Sequence, residues 1–283
     1  MPQYYDLFGD PNGNGTINVT GLGSLLDVEY ELCIGHSGLG TLLISNGGRV
    51  NTGDDAFVGD EPNGVGAVSV TGAAEEPSQW VISDDLYVGG YGTGALTISD
   101  GGEVITDEDA FIGYGESGSG TVVVTGEDSI WMVGEQLYVG GHEEGAAGDG
   151  SLYVNDGGQV TVWDEMYVWE TGLVGGDGTI TVMNPTTLHN YGTIAPGDDG
   201  IGTLTIEGSV VFHEGSTFAV DINNTTSDRL TISGEVTIEG GTVQVSSEGT
   251  IIGEHSYQIL DGYLVNGEFD VLDTALQIGR AHV

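Results

Sequence analysis

Residues 86–106 read LYVGGYGTGALTISDGGEVIT and contain three short runs in which apolar side chains alternate with others. The runs are LYV, GALTIS and GEVIT, and glycine-rich turns separate them. Alternation with a period of two predicts half-buried β-strands. Three such strands within about 25 residues predict one coil of a β-solenoid, in which each strand pairs with its counterpart in the next coil.

The same phrases return at other places in the chain. LYVGG recurs at residues 137–141, a shift of 51 residues, and its variant LCIGH stands at residues 32–36. Three further segments align around them: GTLLISNGGRV (40–50), GALTISDGGEV (94–104) and GSLYVNDGGQV (150–160). Likewise, DAFVGD (55–60) matches DAFIGY (109–114). Each repeat, about 51 to 56 residues long, divides into two halves, so we predict an all-β fold, a parallel β-helix with two coils per repeat.

Side chains of one parity should point into the solenoid and form apolar columns along its axis. In the second repeat the predicted core residues are Leu86, Val88, Leu96, Ile98, Ala110, Ile112, Val122 and Val124. The interleaved residues predicted to face outward are Tyr87, Thr97, Phe111, Val123 and Thr125. A single coil cannot bury its own apolar face, so the fold is expected to be stable only as an array of coils.

The composition is strongly acidic. Asp and Glu number 44 against three arginines and no lysine, which gives a formal net charge of −41 at pH 7. Nucleic acid is excluded as a partner because phosphate neutralisation requires Lys and Arg. An anionic membrane surface is excluded by the same argument. No apolar run reaches the length of about 18 residues that a transmembrane helix needs, so we expect no direct membrane insertion by this segment.

Cysteine and histidine usage predicts no catalytic, cofactor or metal site. Cys33 is the only cysteine, so no internal disulfide is possible, and it occupies the repeat position of Tyr87 and Tyr138. We interpret it as a tolerated side chain rather than a nucleophile, since no His or Asp recurs beside it at a triad-like spacing. The six histidines, which show no metal-ligand spacing, are interpreted as surface residues: His36, His142, His189, His213, His255 and His282.

One stretch looks like the start of a calcium loop. Residues 9–22 read GDPNGNGTINVTGL and place Asp10, Asn12 and Asn14 at the spacing of oxygen ligands. Gly21 stands where the loop needs a carboxylate, and the related segments 58–72 and 112–126 lose the ligands. We interpret the stretch as one turn and strand of the repeat. A calcium-dependent docking module is an alternative, but it requires a paired helical loop that the sequence lacks.

Three regions follow from the pattern. Residues 1–190 hold the glycine-rich repeats, about three and a half copies; residues 191–277 form a C-terminal solenoid segment of different character; residues 278–283 are expected to be a non-native tail. The tail, IGRAHV, matches what the start of a common sequencing adapter encodes before a stop codon. The opening MPQYYDLFGD lacks the basic and apolar parts of a signal peptide, so we expect the chain to be a piece of a longer exported protein.

The C-terminal region carries a family resemblance. The order IAPGDDGIGTLTIEGSVVFHEGSTFAVDIN, SDRLTISGEVTIEGGTVQV, YQILDGYLVNGEFDVL resembles the closing part of autotransporter passenger domains. The upstream units GTLLISNGG and GTVVVTG, with the recurring Trp80 and Trp131, are similar to autotransporter-associated β-strand repeats. The resemblance covers nearly the whole chain. It implies a right-handed parallel β-helix on a bacterial surface or released from it, outer-membrane-associated in the full-length protein, and it carries over no catalytic residue.

We therefore expect a structural or adhesive segment rather than an enzyme. Its partner would be a host or matrix surface, with polysaccharide among the candidates, and its oligomeric state is open. No dedicated cofactor is expected, although diffuse calcium binding along the acidic edges would relieve the repulsion between coils. Sugar stacking on Tyr87, Tyr138, Trp80 or Trp131 is one interpretation of the aromatic residues, and packing between coils is the other.

A carbohydrate-active enzyme is the alternative function, because β-helices also carry polysaccharide lyases and hydrolases. Paired acids that might serve it are Asp54 with Asp55, Asp84 with Asp85, Asp198 with Asp199, and the run Asp107, Glu108 and Asp109. Inverting hydrolysis uses two carboxylates about 6.5 to 9.5 Å apart. Most of these acids recur from copy to copy, which is more typical of a solvated corner than of an active site. The basic residues that a lyase would want, Arg49 and Arg229, are far apart in sequence.

Overall fold

The computed structural model describes residues 5–6, 13–72, 76–183, 185–197 and 200–274. Within them every regular element is a β-strand. The first half of the chain contains β1 (Tyr5–Asp6), β2 (Asn14–Thr20), β3 (Leu25–Val28), β4 (Leu32–Ile34), β5 (Leu39–Ser45), β6 (Arg49–Thr52), β7 (Ala56–Val58), β8 (Val65–Thr71), β9 (Gln79–Ile82), β10 (Leu86–Val88), β11 (Thr93–Ser99), β12 (Glu103–Thr106), β13 (Ala110–Ile112), β14 (Ser119–Thr125), β15 (Ile130–Val133) and β16 (Leu137–Val139).

The second half continues the series. It contains β17 (Gly141–His142), β18 (Gly145–Ala146), β19 (Asp149–Asn155), β20 (Gln159–Val162), β21 (Met166–Val168), β22 (Gly172–Gly176), β23 (Thr179–Val182), β24 (Thr187–Asn190), β25 (Thr193–Pro196), β26 (Thr203–Glu207), β27 (Ser209–Phe212), β28 (Thr217–Ile222), β29 (Arg229–Ile238), β30 (Thr242–Ser247), β31 (Leu260–Gly267) and β32 (Val271–Thr274). The described part of the chain contains no helix long and apolar enough to cross a membrane.

The strands form three parallel ladders that run along the solenoid. Ladder one consists of short strands such as β10 and β13, ladder two of the longer strands such as β11 and β14, and ladder three of strands such as β12 and β15. Ladder two is a continuous sheet of 11 strands. Ladders one and three merge into one sheet near the C-terminus because β29 and β31 run across the corner between them. The predicted all-β parallel β-helix is confirmed.

Register confirms two coils per repeat. Leu86 pairs with Ala110, and Ala110 pairs with Leu137, so the two copies of LYVGG lie two coils apart on the same ladder. Cys33 pairs with Phe57, which pairs with Tyr87, so Cys33 occupies the predicted column. Pairing continues from β24 to β27 and from β22 to β25, across the predicted boundary at residue 190. The division at that residue stays a prediction, and residues 278–283 lie outside the described part.

The core is a set of apolar columns inside the coils. All eight predicted inward residues of the second repeat are buried, which confirms the parity assignment: Leu86, Val88, Leu96, Ile98, Ala110, Ile112, Val122 and Val124. The prediction for the outward set needs one correction. Phe111 does face away from the axis, yet it is only 4% exposed, because aromatic side chains of neighbouring coils cover both of its ring faces.

Glycine is required where one coil turns against the next. Gly89 follows β10 with a φ of +74°, and a Cβ there would lie 2.4 Å from the backbone carbonyl carbon of Ser119 in the following coil. A non-glycine residue would be strained by its backbone conformation and would also collide with backbone that cannot move aside. The glycine-rich phrases of the sequence therefore encode the corners of the solenoid.

Candidate functional site

An aromatic column covers the outer face of ladder one. Successive ring centroids along it, from Phe57 to Tyr87, Phe111, Tyr138, Tyr167 and His189, are 4.7, 4.8, 5.1, 5.4 and 5.1 Å apart, and all are stacked. The register of the ladder creates the column, because equivalent positions of neighbouring parallel strands lie about 4.8 Å apart. The rings therefore pack on one another rather than standing free in solvent.

This packing decides the sugar-stacking interpretation of four aromatic residues. Trp80 and Trp131 are completely buried inside the solenoid, where their indole N–H groups donate to Thr52 and Thr106. They cannot contact a sugar. The faces of Tyr87 and Tyr138 are covered by their stacked neighbours. The faces of these four rings are therefore used for packing within the solenoid and are not available to a sugar.

A pocket does open at the corner between ladders one and two, which we call the pocket corner. The corner segments of three consecutive coils, residues 89–92, 113–118 and 140–148, grow longer along the chain. The last contains the antiparallel hairpin of β17 and β18, the one antiparallel strand pair among the described residues. This hairpin interrupts the repeat, so the pocket corner differs from the other corners of the described coils.

The pocket has a volume of about 540 Å³ and is lined by Tyr91, Tyr114, Gly115, Glu116, Ser117, His142 and Ala147. Tyr91 is 47% exposed, and its ring lies edge-on to that of Tyr114 with centroids 6.0 Å apart. The ring of Tyr91 lies directly over Gly115, where a Cβ would come within 2.4 Å of its Cδ1.

Polar groups complete the pocket. The Ser117 hydroxyl donates to the carbonyl oxygen of Tyr91 at 2.8 Å, which holds the two corner segments together. The backbone N–H of Glu144 donates to Nδ1 of His142 at 3.3 Å. Aromatic surface beside convergent polar groups is typical of small-molecule and saccharide pockets.

A second corner, between ladders three and one, is acidic. It carries Asp54 and Asp55 on one coil, Asp84 and Asp85 on the next, and Glu108 and Asp109 on the third. Carboxylate oxygens of Asp54, Asp55 and Asp84 lie within 4.8 Å of one another, as do those of Asp84, Asp85 and Glu108. The structure thus brings most of the sequence-predicted acid pairs to one edge, while Asp198 and Asp199 lie outside the described residues.

Backbone hydrogen bonds tie these acids into a column. The N–H of Asp85 donates to Asp55 at 3.2 Å, that of Asp109 to Asp85 at 3.0 Å, and that of Gln136 to Asp109 at 2.8 Å. Burial raises the pKa of Asp55 to about 7 and that of Asp109 to about 6, and it also raises the pKa of Asp85. The N–H donors oppose this shift and the neighbouring acids add to it.

Two histidines pack into the aromatic column instead of pointing freely into solvent. His189 stacks between Tyr167 and His213, and its Nδ1 is 3.1 Å from Nε2 of His213. Nδ1 of His213 is 2.7 Å from a carboxylate oxygen of Glu239. Burial lowers the pKa of His189. These contacts join residues one coil apart in sequence. The spacing of ligands around a single histidine does not reveal them.

A third histidine belongs to a cluster that sequence reasoning also missed. Cys33, His36 and Asp60 place potential metal-binding atoms within 4.8 Å of one another. The prediction for Cys33 concerned only a His or Asp that recurs beside it at a triad-like spacing, and this cluster joins residues of two coils. The sequence feature that predicts this contact is the separation of 24 residues between His36 and Asp60. This separation equals the length of one coil and places the two residues on adjacent coils.

Comparisons with known proteins place the fold in context. The chain is 33% identical over 150 residues to the adhesin BmaC autotransporter of Brucella suis biovar 1 (strain 1330), which covers 50% of this chain and 4% of that protein. It is 30% identical over 136 residues to an extracellular serine protease of Serratia marcescens, which covers 47% of this chain and 12% of that protein. The resemblance to autotransporter passenger β-helices is confirmed.

A further relative is the uncharacterized lipoprotein YdeK of Escherichia coli (strain K12), with 30% identity over 173 residues, or 59% of this chain and 12% of that protein. The chain thus spans between 4 and 12% of the length of these curated relatives. No protein-family model matches it. The three relatives point to a cell-surface or extracellular location. The adhesin, together with the solenoid fold, suggests a structural role.

Proposed function

We propose that this passenger segment serves in adhesion or matrix contact and that it binds a saccharide at the pocket corner. In this proposal it is not a catalyst, and the full-length protein is associated with the outer membrane. The Brucella relative is named an adhesin, which supports the assignment. The observation that carries it is the pocket at Tyr91, since the hairpin that closes it departs from an otherwise regular repeat.

The pocket favours a saccharide by its chemistry. The 47% exposed side chain of Tyr91 offers apolar surface to the C–H face of a pyranose ring, while Glu116, Ser117 and His142 offer acceptors and donors for its hydroxyl groups. A stacked ring contributes on the order of 1 kcal/mol, so a single sugar would bind weakly. A repeated glycan on a host or matrix surface would compensate through multivalent contact.

The negative charge around the pocket limits the class of sugar that it can bind. Glu116, Glu143 and Glu144 are exposed around the pocket, within a chain of formal charge −41. Uronic acids and sulfated sugars would be repelled, because like charges that approach each other cost free energy. We expect neutral or amino sugars.

Binding to an array of neutral, amino and uronic-acid oligosaccharides tests this proposal. The full chain should retain neutral or amino glycans, and Tyr91→Ala should lose them. Gly115→Ala should reduce binding as well, because its new methyl group must displace the ring of Tyr91. Tyr263→Ala is the matched control, since Tyr263 is 87% exposed on β31, far from the pocket corner. Absence of glycan retention, or equal retention by Tyr91→Ala, would reject the saccharide site.

The acidic corner supports a second candidate, hydrolysis of polysaccharide. A hydrogen bond shared with Asp84 raises the pKa of Glu108, as a general acid would require. However, the same pair of acids stands on the preceding coils, so nothing distinguishes one catalytic position. Release of reducing ends from glycans by the chain, and its loss in Glu108→Gln, would establish the enzyme and displace the adhesive assignment.

A further inference from the structure

Three chemically different metal-binding side chains converge at the N-terminal end of the pocket corner. Cys33 is on β4, His36 follows that strand, and Asp60 occupies the corner of the next coil. One potential donor atom from each lies within 4.8 Å of the other two. Neither the comparisons nor the adhesive function assigns any role to these residues.

Backbone pairing holds the three residues together. The N–H of Gly59 donates to the carbonyl oxygen of Ile34 at 2.9 Å, and the N–H of Glu61 donates to that of His36 at 2.9 Å. These bonds join the segments before and after Asp60 to the coil that carries Cys33 and His36. The cluster is therefore built on rigid elements of the solenoid, as a metal site requires.

We propose that Cys33, His36 and Asp60 form a binding site for a divalent transition-metal ion, with zinc as the expected occupant. Thiolate sulfur, imidazole nitrogen and carboxylate oxygen together are the donor set that zinc accepts. Calcium and magnesium prefer oxygen donors and would gain little from Cys33 and His36. With three protein donors, a tetrahedral ion keeps one position for water.

Binding must open an existing contact. Nδ1 of His36 lies 2.5 Å from Oδ2 of Asp60, whereas two donors on one tetrahedral zinc ion lie about 3.3 Å apart. The ion takes the place of this direct contact, and the two side chains move apart by small rotations. The thiol of Cys33 also loses its proton when the sulfur–metal bond forms, so metal binding releases protons to solvent.

The surroundings suit a partly enclosed cation. Cys33 is 3% exposed, while the side chains of His36 and Asp60 are 25% and 20% exposed. The metal can thus enter from the side of His36 and Asp60, and the sulfur stays shielded from solvent. The large negative charge of the chain raises the local concentration of cations around the site.

Cobalt(II) is the first probe, because a bound thiolate produces a sulfur-to-cobalt charge-transfer band. The full chain, reduced and stripped of metal, is titrated with cobalt and then with zinc in a large excess of calcium. Calcium occupies the carboxylate edges without competing for sulfur. We expect one cobalt ion per chain with the charge-transfer band, displaced by zinc.

Variants assign the ligands. Cys33→Ser should abolish the band, and Asp60→Asn and His36→Gln should each weaken zinc binding by about tenfold or more. His213→Gln is the matched control, since it removes a histidine from the stacked pair with His189 and should leave the band unchanged. Should Cys33→Ser fail to fold, as judged by circular dichroism, His36→Gln and Asp60→Asn carry the test.

Two results would overturn the site. The first is cobalt binding without the charge-transfer band in the full chain. The second is a zinc affinity that is unchanged in His36→Gln and Asp60→Asn. Cobalt binding that lacks the band and is lost in His213→Gln would place the metal at the stacked histidine pair instead. Glycan binding is measured separately, so failure of the metal site and failure of the saccharide site are distinguishable.

Discussion

The phenol of Tyr87 donates a hydrogen bond of 2.9 Å to the carboxylate of Asp85, two residues earlier in the chain. The same relationship recurs on later coils, where Tyr138 donates to Gln136 at 2.7 Å and Tyr167 donates to Glu165. It connects the aromatic column of ladder one to the acidic corner. Burial, together with the charge of Asp85, raises the pKa of Tyr87, so the phenol keeps its proton as a donor.

The acidic column should make stability depend on pH. The pKa of Asp55 is raised to about 7 in the folded chain from an ordinary value of 3.8, so the folded state binds more protons than the unfolded state between these values. Stability should therefore fall as pH rises from about 4 to about 7, and the full penalty should persist above that range. Thermal melts at several pH values measure this.

Asp55→Asn should remove part of the stability loss that occurs as pH rises. An amide keeps an oxygen that can accept the N–H of Asp85, and Gln136 shows that this column tolerates an amide. We expect a gain of about 1 kcal/mol at pH 8, after allowance for solvent screening of a partly exposed group, and no gain at pH 4. Asp107→Asn, at an exposed position of the same corner, is the control. Equal gains at both pH values would contradict the mechanism.

Removing a ring from the aromatic column should destabilise the solenoid. Tyr87 lies between Phe57 and Phe111 at 4.7 and 4.8 Å, so Tyr87→Ala exposes one ring face of each neighbour. Phe111 keeps its second stacked neighbour, Tyr138, and we expect a loss of about 2 to 3 kcal/mol in the free energy of unfolding. Tyr263→Ala, which alters an 87% exposed ring, should change stability by less than about 0.5 kcal/mol. Similar melting temperatures for the two variants would show that the aromatic column adds little to the stability of the fold.

Two glycines with the same sign of φ should respond differently to alanine. Gly21 has a φ of +91° and no atom within 4 Å of an added Cβ, so Gly21→Ala should cost only backbone strain, about 1 kcal/mol. Gly89→Ala adds a collision with the backbone of the next coil and should cost about 3 kcal/mol or more. Urea titrations of both variants measure the difference, and equal costs would show that the coils are free to separate.

Salt and calcium should stabilise the fold. Equivalent acids on successive coils, about 4.8 Å apart, repel by about 0.9 kcal/mol per pair even at the dielectric constant of water. Added sodium chloride should raise the melting temperature by shortening the screening length, and millimolar calcium should do so at lower ionic strength. Identical midpoints in low salt, high salt and calcium would show that the repulsion is already relieved.

Local alternation was enough to predict most of the fold. A strand with period two assigns each side chain to one face, so Leu86 and Val88 could be placed in the core without knowledge of their neighbours. The repeat length also placed Cys33 in the column of Tyr87. Burial of outward residues was not predictable in this way, because Phe111 is covered only by rings that the next coils supply.

The candidate sites were less accessible to sequence reasoning. Tyr91 became notable only when the corner segments of three coils were seen to enclose a pocket, and the cluster at Cys33 depends on a residue one coil away. Both arise from the lateral packing of corners whose lengths differ from coil to coil. Residue spacing within a single coil carries no information about such contacts.

Sequence alone thus determined the coil, its period, its glycine corners and its apolar interior, because each depends on φ preference and alternation within about 25 residues. Tertiary structure decided which outward side chains meet, including the acids of Asp55 and Asp85, the stacked rings and the residues around Cys33. The physical reason is that stacking brings side chains from different coils to within about 5 Å, where desolvation, ring contact and metal ligation begin to act.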